Sequence, residues 1–529
     1  MLQTPRATRG MVVAPHHLAA QAGLRVLREG GNAIEAMVAA AATIAVVYPH
    51  MNSLGGDNFW LISDGDAQPL GIDACGAAAG AADIAFYRQQ GYDEIPPRGA
   101  LAANTVAGAV SGWQAALEVS RRWGGKLPLP RLLEDAMYYA REGVPVTRSQ
   151  HANTVAKQSE LVDVPGFSQA FLDNGKAPPV GALFKQSALA RTLAHLGHHG
   201  LDDFYRGELA RRITSELEKA GSPVRVTDLA RHQAREVAPL AVRLKDGIAY
   251  NLPPPTQGLT SLTLLGVFDR LGCTQAESFD YVHLLVEATK CAFKVRDTHV
   301  TDPAYMDTDP ARFLTDKALE NMAASIDRRQ ALPWGTGATN GDTVWLGAID
   351  AAGRAVSFIQ SIYWEFGSGV VLPETGVTWQ NRGTSFQLTA GAQNQLEPGR
   401  KPFHTIQPAL AQLDDGRLMV YGTMGGDGQP QTQAIIFSRH IMFGQELQAA
   451  VTAPRWLLGR TWGAPKANLR LENRFPPEVV DALVAAGHDL ELVEAFDEVM
   501  GHAGALVHYP SSVIEGAADP RGDGAVTAF

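Results

Sequence analysis

The chain has 529 residues, 45% of them apolar and 19% charged, with a net charge of −10. This is ordinary globular composition, which excludes a fibrous or largely disordered chain, and the negative balance gives no electrostatic reason to expect nucleic acid or an anionic membrane as partner. Length alone suggests about three domains, although large α/β folds stretch that rule.

Only Cys75, Cys273 and Cys291 are present. Their odd number and lack of metal-ligand spacing point to reduced, mostly buried thiols rather than a disulfide framework. The N-terminal segment reaches Pro15, His16 and His17 without an apolar core long enough for a secretory signal. The most apolar stretch, Ala36 to Tyr48, is too short to span a bilayer and reads as a buried helix. A soluble, cytoplasmic protein is the expectation.

Leu18 to Glu29 and Ala33 to Val47 read as two helices, with Gly30-Gly31-Asn32 as stop and restart. The stretch YPHMNSLGGDN reads as a loop, followed by strands FWLIS and PLGIDA around the turn DGDAQ. From about Ala109 to Asp327 the chain reads as mainly helical, with Pro-rich breaks at 127–130 and 253–255. No repeat of solenoid or propeller length is evident. From about Gly341 the texture changes to strand and turn. TVWLGAID and AVSFIQSIYW flank Ala-Ala-Gly-Arg, a hairpin signal. Farther on, the strand RLMVY leads through GTMGGDG into the helix-like TQAIIFSRHIMF. Strands on both sides of long helical stretches predict layered α/β architecture.

Common catalytic signatures are missing from the sequence. It has no GxxxxGK[ST] and no GxGxxG between strand and helix, so nucleotide binding lacks its phosphate cradle. HExxH and GxSxG do not occur, and GAVSGW has the wrong spacing for a nucleophile elbow. His195, His198 and His199, with Asp202 and Asp203 beyond them, read as a solvated helix end rather than a metal site. Arg521-Gly522-Asp523 reads as a turn. Neither a cofactor nor a metal is expected.

The Gly341-Asp342-Thr343 junction does carry chemistry. If the chain is cut before Thr343, the new α-amine lies beside that residue's hydroxyl. An α-amine titrates near neutrality, so it can act as general base for a threonine nucleophile without a histidine. A hairpin centred on Ala352 places Asp350 opposite Arg354, Ile349 opposite Ala355 and, continuing outward, Thr343 opposite Ser361. Directly opposed side chains lie about 5 Å apart at Cβ, so Ser361 can reach the nucleophile unless a bulge intervenes. Taken alone, a threonine opening a strand is more often structural.

Several segments together give a more specific reading. GMVVAPHHLAAQAGLRVLREGGNAIEAMVAAA, TVAGAVSGW, LPPPTQG, DTVWLGAIDAAGRAVSFIQSIYWEFGSGVV, QNRG, TMGGDG, FGQELQAAVTAPRW and GAADPRGDG occur in one order. On these segments the sequence resembles the γ-glutamyltranspeptidase family of N-terminal-nucleophile hydrolases along nearly its whole length. The resemblance implies a four-layer αββα fold and a proenzyme that cleaves itself between Asp342 and Thr343. The products would be a large chain, residues 1–342, and a small chain, residues 343–529, interleaved in one domain. It also implies Thr343 as nucleophile, Ser361 as the hydroxyl that orients it, and the amides of Gly425 and Gly426 as oxyanion hole. Glycine suits that role because backbone N–H groups must reach the oxygen unobstructed.

Departures from the family pattern bear on the substrate. The position of the family's carboxylate-binding arginine falls at Cys75, that of its amine-binding aspartate at Ser385, and that of its paired serines at His404 and Thr405. A thiol does not replace an arginine fork for gripping a carboxylate. The chain is therefore expected to resemble members that hydrolyse other amides, with a compact acid amide such as oxamate favoured and water as acceptor. Arg382, in Gln380-Asn381-Arg382-Gly383, is the candidate carboxylate ligand, with a structural salt bridge as its other reading. Asn381, Tyr363, His404 and Thr405 are candidates for the pocket wall. Two alternatives stay open: a γ-glutamyl hydrolase or transpeptidase with a rebuilt clamp, and an inactive binding protein. A homodimer of processed heterodimers is a possible assembly.

Overall fold

Alternation along the strand Asp342–Asp350 sorts its side chains onto two faces. Val344, Leu346 and Ala348 join an apolar layer with the helices His17–Arg28, Ala33–Val47 and Ala109–Arg122. Trp345 and Ile349 point the other way, into a second layer with Met11, Val13, Phe59, Ile359, Leu410, Val420 and Leu506. A third layer lies beyond, where the helices Gly258–Leu271, Phe279–His299 and Gly428–Phe437 cover the far sheet. Three apolar layers separate four layers of structure, the expected αββα sandwich. The computed structural model describes residues 3–65, 67–334, 342–459 and 467–529. Gly341 and Asp66 lie outside them. Among the described residues no helix is long and apolar enough to cross a membrane.

Among the described residues each of the two sandwich sheets has seven strands. In spatial order the first runs Ala525–Ala528, Gly10–Ala14, Asp342–Asp350, Ala355–Tyr363, Asp57–Ser63, Leu70–Ala74 and Arg235–Val237. The second runs Arg6–Ala7, Ile514–Ala518, Gly504–His508, Leu418–Gly422, Ala409–Leu413, Gly247–Asn251 and Leu240–Leu244. All pairings in both are antiparallel. Both sheets contain strands from before and after Thr343, so the sandwich is one unit rather than about three domains.

The helix Ala33–Val47 is buried on every side because it sits between the first sheet and outer helices. Asn32 and Glu35 close its first turn as a capping box. The middle of the chain departs from its expected helical character. It also supplies Arg235–Val237 and Leu240–Leu244, edge strands of the two sheets, and Gly247–Asn251, which pairs between Leu240–Leu244 and Ala409–Leu413. Runs of three to five residues are too short to show a period. The tripeptide at Arg521 is a turn, but the arginine is buried against Glu472 and Asp519. His195 pairs with Asp203 at its helix end, 2.7 Å from Nε2 to Oδ2. The three cysteines are free.

Candidate active site

The hairpin register follows from its turn. Gly353 takes φ +77°, the Asp350 amide donates to the Arg354 carbonyl at 3.0 Å, and pairing runs from Ile349–Ala355 to Val344–Gln360. The register then shifts, so that Asp342 pairs with Tyr363. Thr343 thus faces the two residues Ser361 and Ile362 across a β-bulge. The bulge falls at the site itself, and Ser361 stays within the stretch that Thr343 faces.

Thr343 and Ser361 are both buried. Gln429, in the first turn of the helix Gly428–Phe437, directs Nε2 toward Thr343 Oγ1 at 3.4 Å. Ser361 Oγ accepts the Tyr363 amide at 2.8 Å, and Tyr363 sits at φ +82°, a strained value for an aromatic residue. Gly56 packs so closely that a Cβ there would lie 2.2 Å from the Ser361 carbonyl oxygen. On the facing sheet, Gly425 and Gly426 take φ +111° and +51°. Their carbonyls accept the amides of Gly428 at 2.7 Å and Gln429 at 3.2 Å. Their own N–H groups donate to no acceptor among the described residues. Gln257 Nε2 ties this loop to the pocket wall, donating to the carbonyls of Gly426 at 2.8 Å and Thr405 at 2.5 Å. Arg296 holds the neighbouring Asp427 at 2.7 Å.

Arg382 is 1% exposed and has no acidic partner within ion-pair distance among the described residues, so the structural salt bridge is not its role. Nη1 donates to Thr405 Oγ1 at 3.2 Å, and the guanidinium lies 3.8 Å from the Tyr363 ring centre. Nη2 is buried without a partner. Burial lowers the guanidinium pKa to about 10, against the pull of Tyr363, Asp57 and Cys75. Next to it, His404 has neither ring nitrogen hydrogen-bonded. Burial, followed by Arg382 and Lys401, pushes its pKa well below the ordinary value. His404 Nε2 lies 3.7 Å from Asp57 Oδ2. With the imidazole neutral, this is not an ion pair.

Asn381 turns its amide to the scaffold instead of the pocket: Nδ2 donates to the Pro97 carbonyl at 3.0 Å and Oδ1 accepts the Trp364 amide at 3.1 Å. Cys75 is buried, its thiol pushed up by burial and by Asp73. Ser385 Oγ donates to the Phe403 carbonyl at 3.2 Å. Neither position carries charge. A cavity of about 840 Å³ between His16, Thr147, Glu498 and Asp523 contains none of the candidate site residues.

Gln257, Gln429 and Asp57 had no signal in local sequence. Asp57 belonged to the stretch read as a loop; it opens a strand, and its Oδ1 accepts the amides of Gly76 at 3.0 Å and Gly108 at 2.9 Å.

The chain matches the gamma-glutamyltranspeptidase family over residues 19–529. It is 54% identical over 524 residues to the oxamate amidohydrolase proenzyme of Klebsiella pneumoniae, covering 99% of each chain. It is 40% identical, with the same coverage, to a glutathione hydrolase-like proenzyme of Bacillus subtilis. Among solved structures, the cephalosporin acylase of Bacillus halodurans superposes with a TM-score of 0.91 at 33% identity, over 100% of this chain and 97% of that one.

Proposed function

Because the chain belongs to the γ-glutamyltranspeptidase family, we propose that it is a self-processing amidohydrolase that hydrolyses a compact acid amide through Thr343. Cleavage between Asp342 and Thr343 frees the threonine amine, which takes the proton of Oγ1 as that oxygen attacks the amide carbon. Ser361 and Gln429 hold Oγ1 in place. The tetrahedral oxygen takes the free N–H groups of Gly425 and Gly426. Collapse of the intermediate expels ammonia, and water then releases the acid from the threonine ester.

The observation that carries the substrate class is Arg382, a buried guanidinium with a free Nη2 and no acid within ion-pair distance among the described residues. Such a group is completed by a carboxylate from outside, held by charge-assisted hydrogen bonds. Uncharged Cys75 and Ser385 at the family's clamp positions speak against an amino-acid head group. The name of the 54% identical relative supports oxamate.

The test is ammonia release from oxamate against glutamate release from glutathione, on one processed sample. Oxamate is expected to be strongly preferred. Arg382→Met, which removes the charge and keeps much of the volume, should lower oxamate turnover by orders of magnitude while self-cleavage persists. A clear preference for glutathione overturns the assignment in favour of the γ-glutamyl reading.

A further inference from the structure

Four buried polar atoms on neighbouring residues have no protein hydrogen-bond partner: Arg382 Nη2, Asp57 Oδ2 and both ring nitrogens of His404. Their residues are at most 1% exposed. Buried polar atoms are normally satisfied, so a cluster of orphans marks space for a polar guest. The charges in this cluster constrain that guest. Besides Arg382 and His404, Asp57 faces the field of Tyr205 and Cys75. Burial raises the pKa of both, so neither is charged at neutral pH. Tyr363 stacks on Arg382, also raised by burial. Lys401, the next cation, is taken up by Asp73 at 2.5 Å. Arg382 and Asp57 are therefore the charges that face these atoms, since the next pair, Arg296 and Asp427, neutralise each other at 2.7 Å. An entering carboxylate leaves one net negative charge in a dry site, which is expensive unless neutralised.

We propose that Asp57 is a specificity-determining proton acceptor: when a monoanionic acid occupies Arg382, a proton from solvent enters on Asp57 Oδ2, and the protonated carboxyl donates a hydrogen bond to the guest. This rests on Arg382 as the acid-binding group. Asp57 is built for the role. Oδ1 is already spent on two backbone amides, while Oδ2 accepts no hydrogen bond, the neighbouring Gln380 amide donating to the Val106 carbonyl instead, and lies 3.7 Å from the neutral imidazole. Burial, opposed by those amides and by Arg382, puts its pKa at about 7, so the proton is available at physiological pH. The pocket then accepts singly charged acids and disfavours dicarboxylates, for which one proton is not enough.

The experiment is calorimetry of pyruvate, an unreactive monoanion, binding to the processed enzyme in two buffers of different ionisation enthalpy. Above pH 7 wild type should take up about one proton per pyruvate bound, and affinity should fall about tenfold per pH unit. Asp57→Asn keeps the acceptor for the two amides. It should bind pyruvate with no proton uptake and with a flat pH profile. Proton uptake that survives in Asp57→Asn overturns the role of Asp57. So does binding of L-glutamate without proton uptake, lost in Asp57→Asn, because an ionised Asp57 would then be holding an ammonium. Arg382-dependent oxamate turnover without proton linkage leaves the proposed function standing and removes only this inference. Failure of both oxamate turnover and pyruvate binding removes both.

Discussion

Asp57 and Ser361 are direct cross-strand partners. The residue that would orient Thr343 and the one that would take up a solvent proton when the guest binds are therefore fixed by one strand pairing. Directly opposed side chains share a face at about 5 Å between Cβ atoms. Nucleophile support and acid recognition cannot drift apart without unzipping the ladder between Asp57–Ser63 and Ala355–Tyr363.

Self-cleavage is expected to yield residues 1–342 and 343–529, readable by intact mass under denaturing conditions. Under native conditions the two pieces should co-elute, since both contribute strands to both sheets. Thr343→Ala should stay whole and inactive. A small chain beginning at another residue moves the nucleophile and sinks the mechanism.

Ser361→Ala removes a hydroxyl that accepts the Tyr363 amide. The loss of stability should be about 1–2 kcal/mol, the worth of one hydrogen bond left unmade. Processing or turnover should fall much more than that. Full rates in this variant would show that the bulge holds Thr343 without help from Ser361.

Gly56→Ala tests the packing behind the site. Its new Cβ would sit 2.2 Å from the Ser361 carbonyl oxygen, a backbone atom held in the sheet that cannot give way as a flexible side chain could. Overpacking of this kind costs about 1–3 kcal/mol, and here the displaced strand carries Ser361. A lower melting temperature together with slowed cleavage is expected; unchanged cleavage kinetics would separate this contact from the site.

Asp57 also makes a stability prediction in the absence of any guest. Burial raises its pKa from an ordinary 3.8 to about 7, so the folded state binds the proton more tightly than the unfolded state. The cost of ionising it is absent below the unfolded value, grows as pH rises between the two, and is complete above the folded one. Asp57→Asn should gain thermal stability relative to wild type as pH rises from about 4 to about 8. A melting-temperature difference that does not change over that range counts against the burial of this carboxyl.

Much of this molecule is legible before it folds. The alternation of Val344 to Ile349, the turn at Gly353 and the Ala-rich helix after Asn32 are local patterns, and the structure reproduces them because neighbours along the chain decide them. Motif order was enough to identify the family and to single out Thr343, Ser361, Gly425 and Gly426 as candidates. What only tertiary structure decided was which groups lack a partner. Arg382 could have met an acid and did not, His404 lies beside Asp57 across 347 positions of chain, and the amide of Asn381 is spent on Pro97 and Trp364. The three short strands near 235–251 are strands because the two sheets offered them pairing partners, not because their residues insist on it. Hydrogen-bond satisfaction and burial are properties of the packed whole, so no window of sequence contains them.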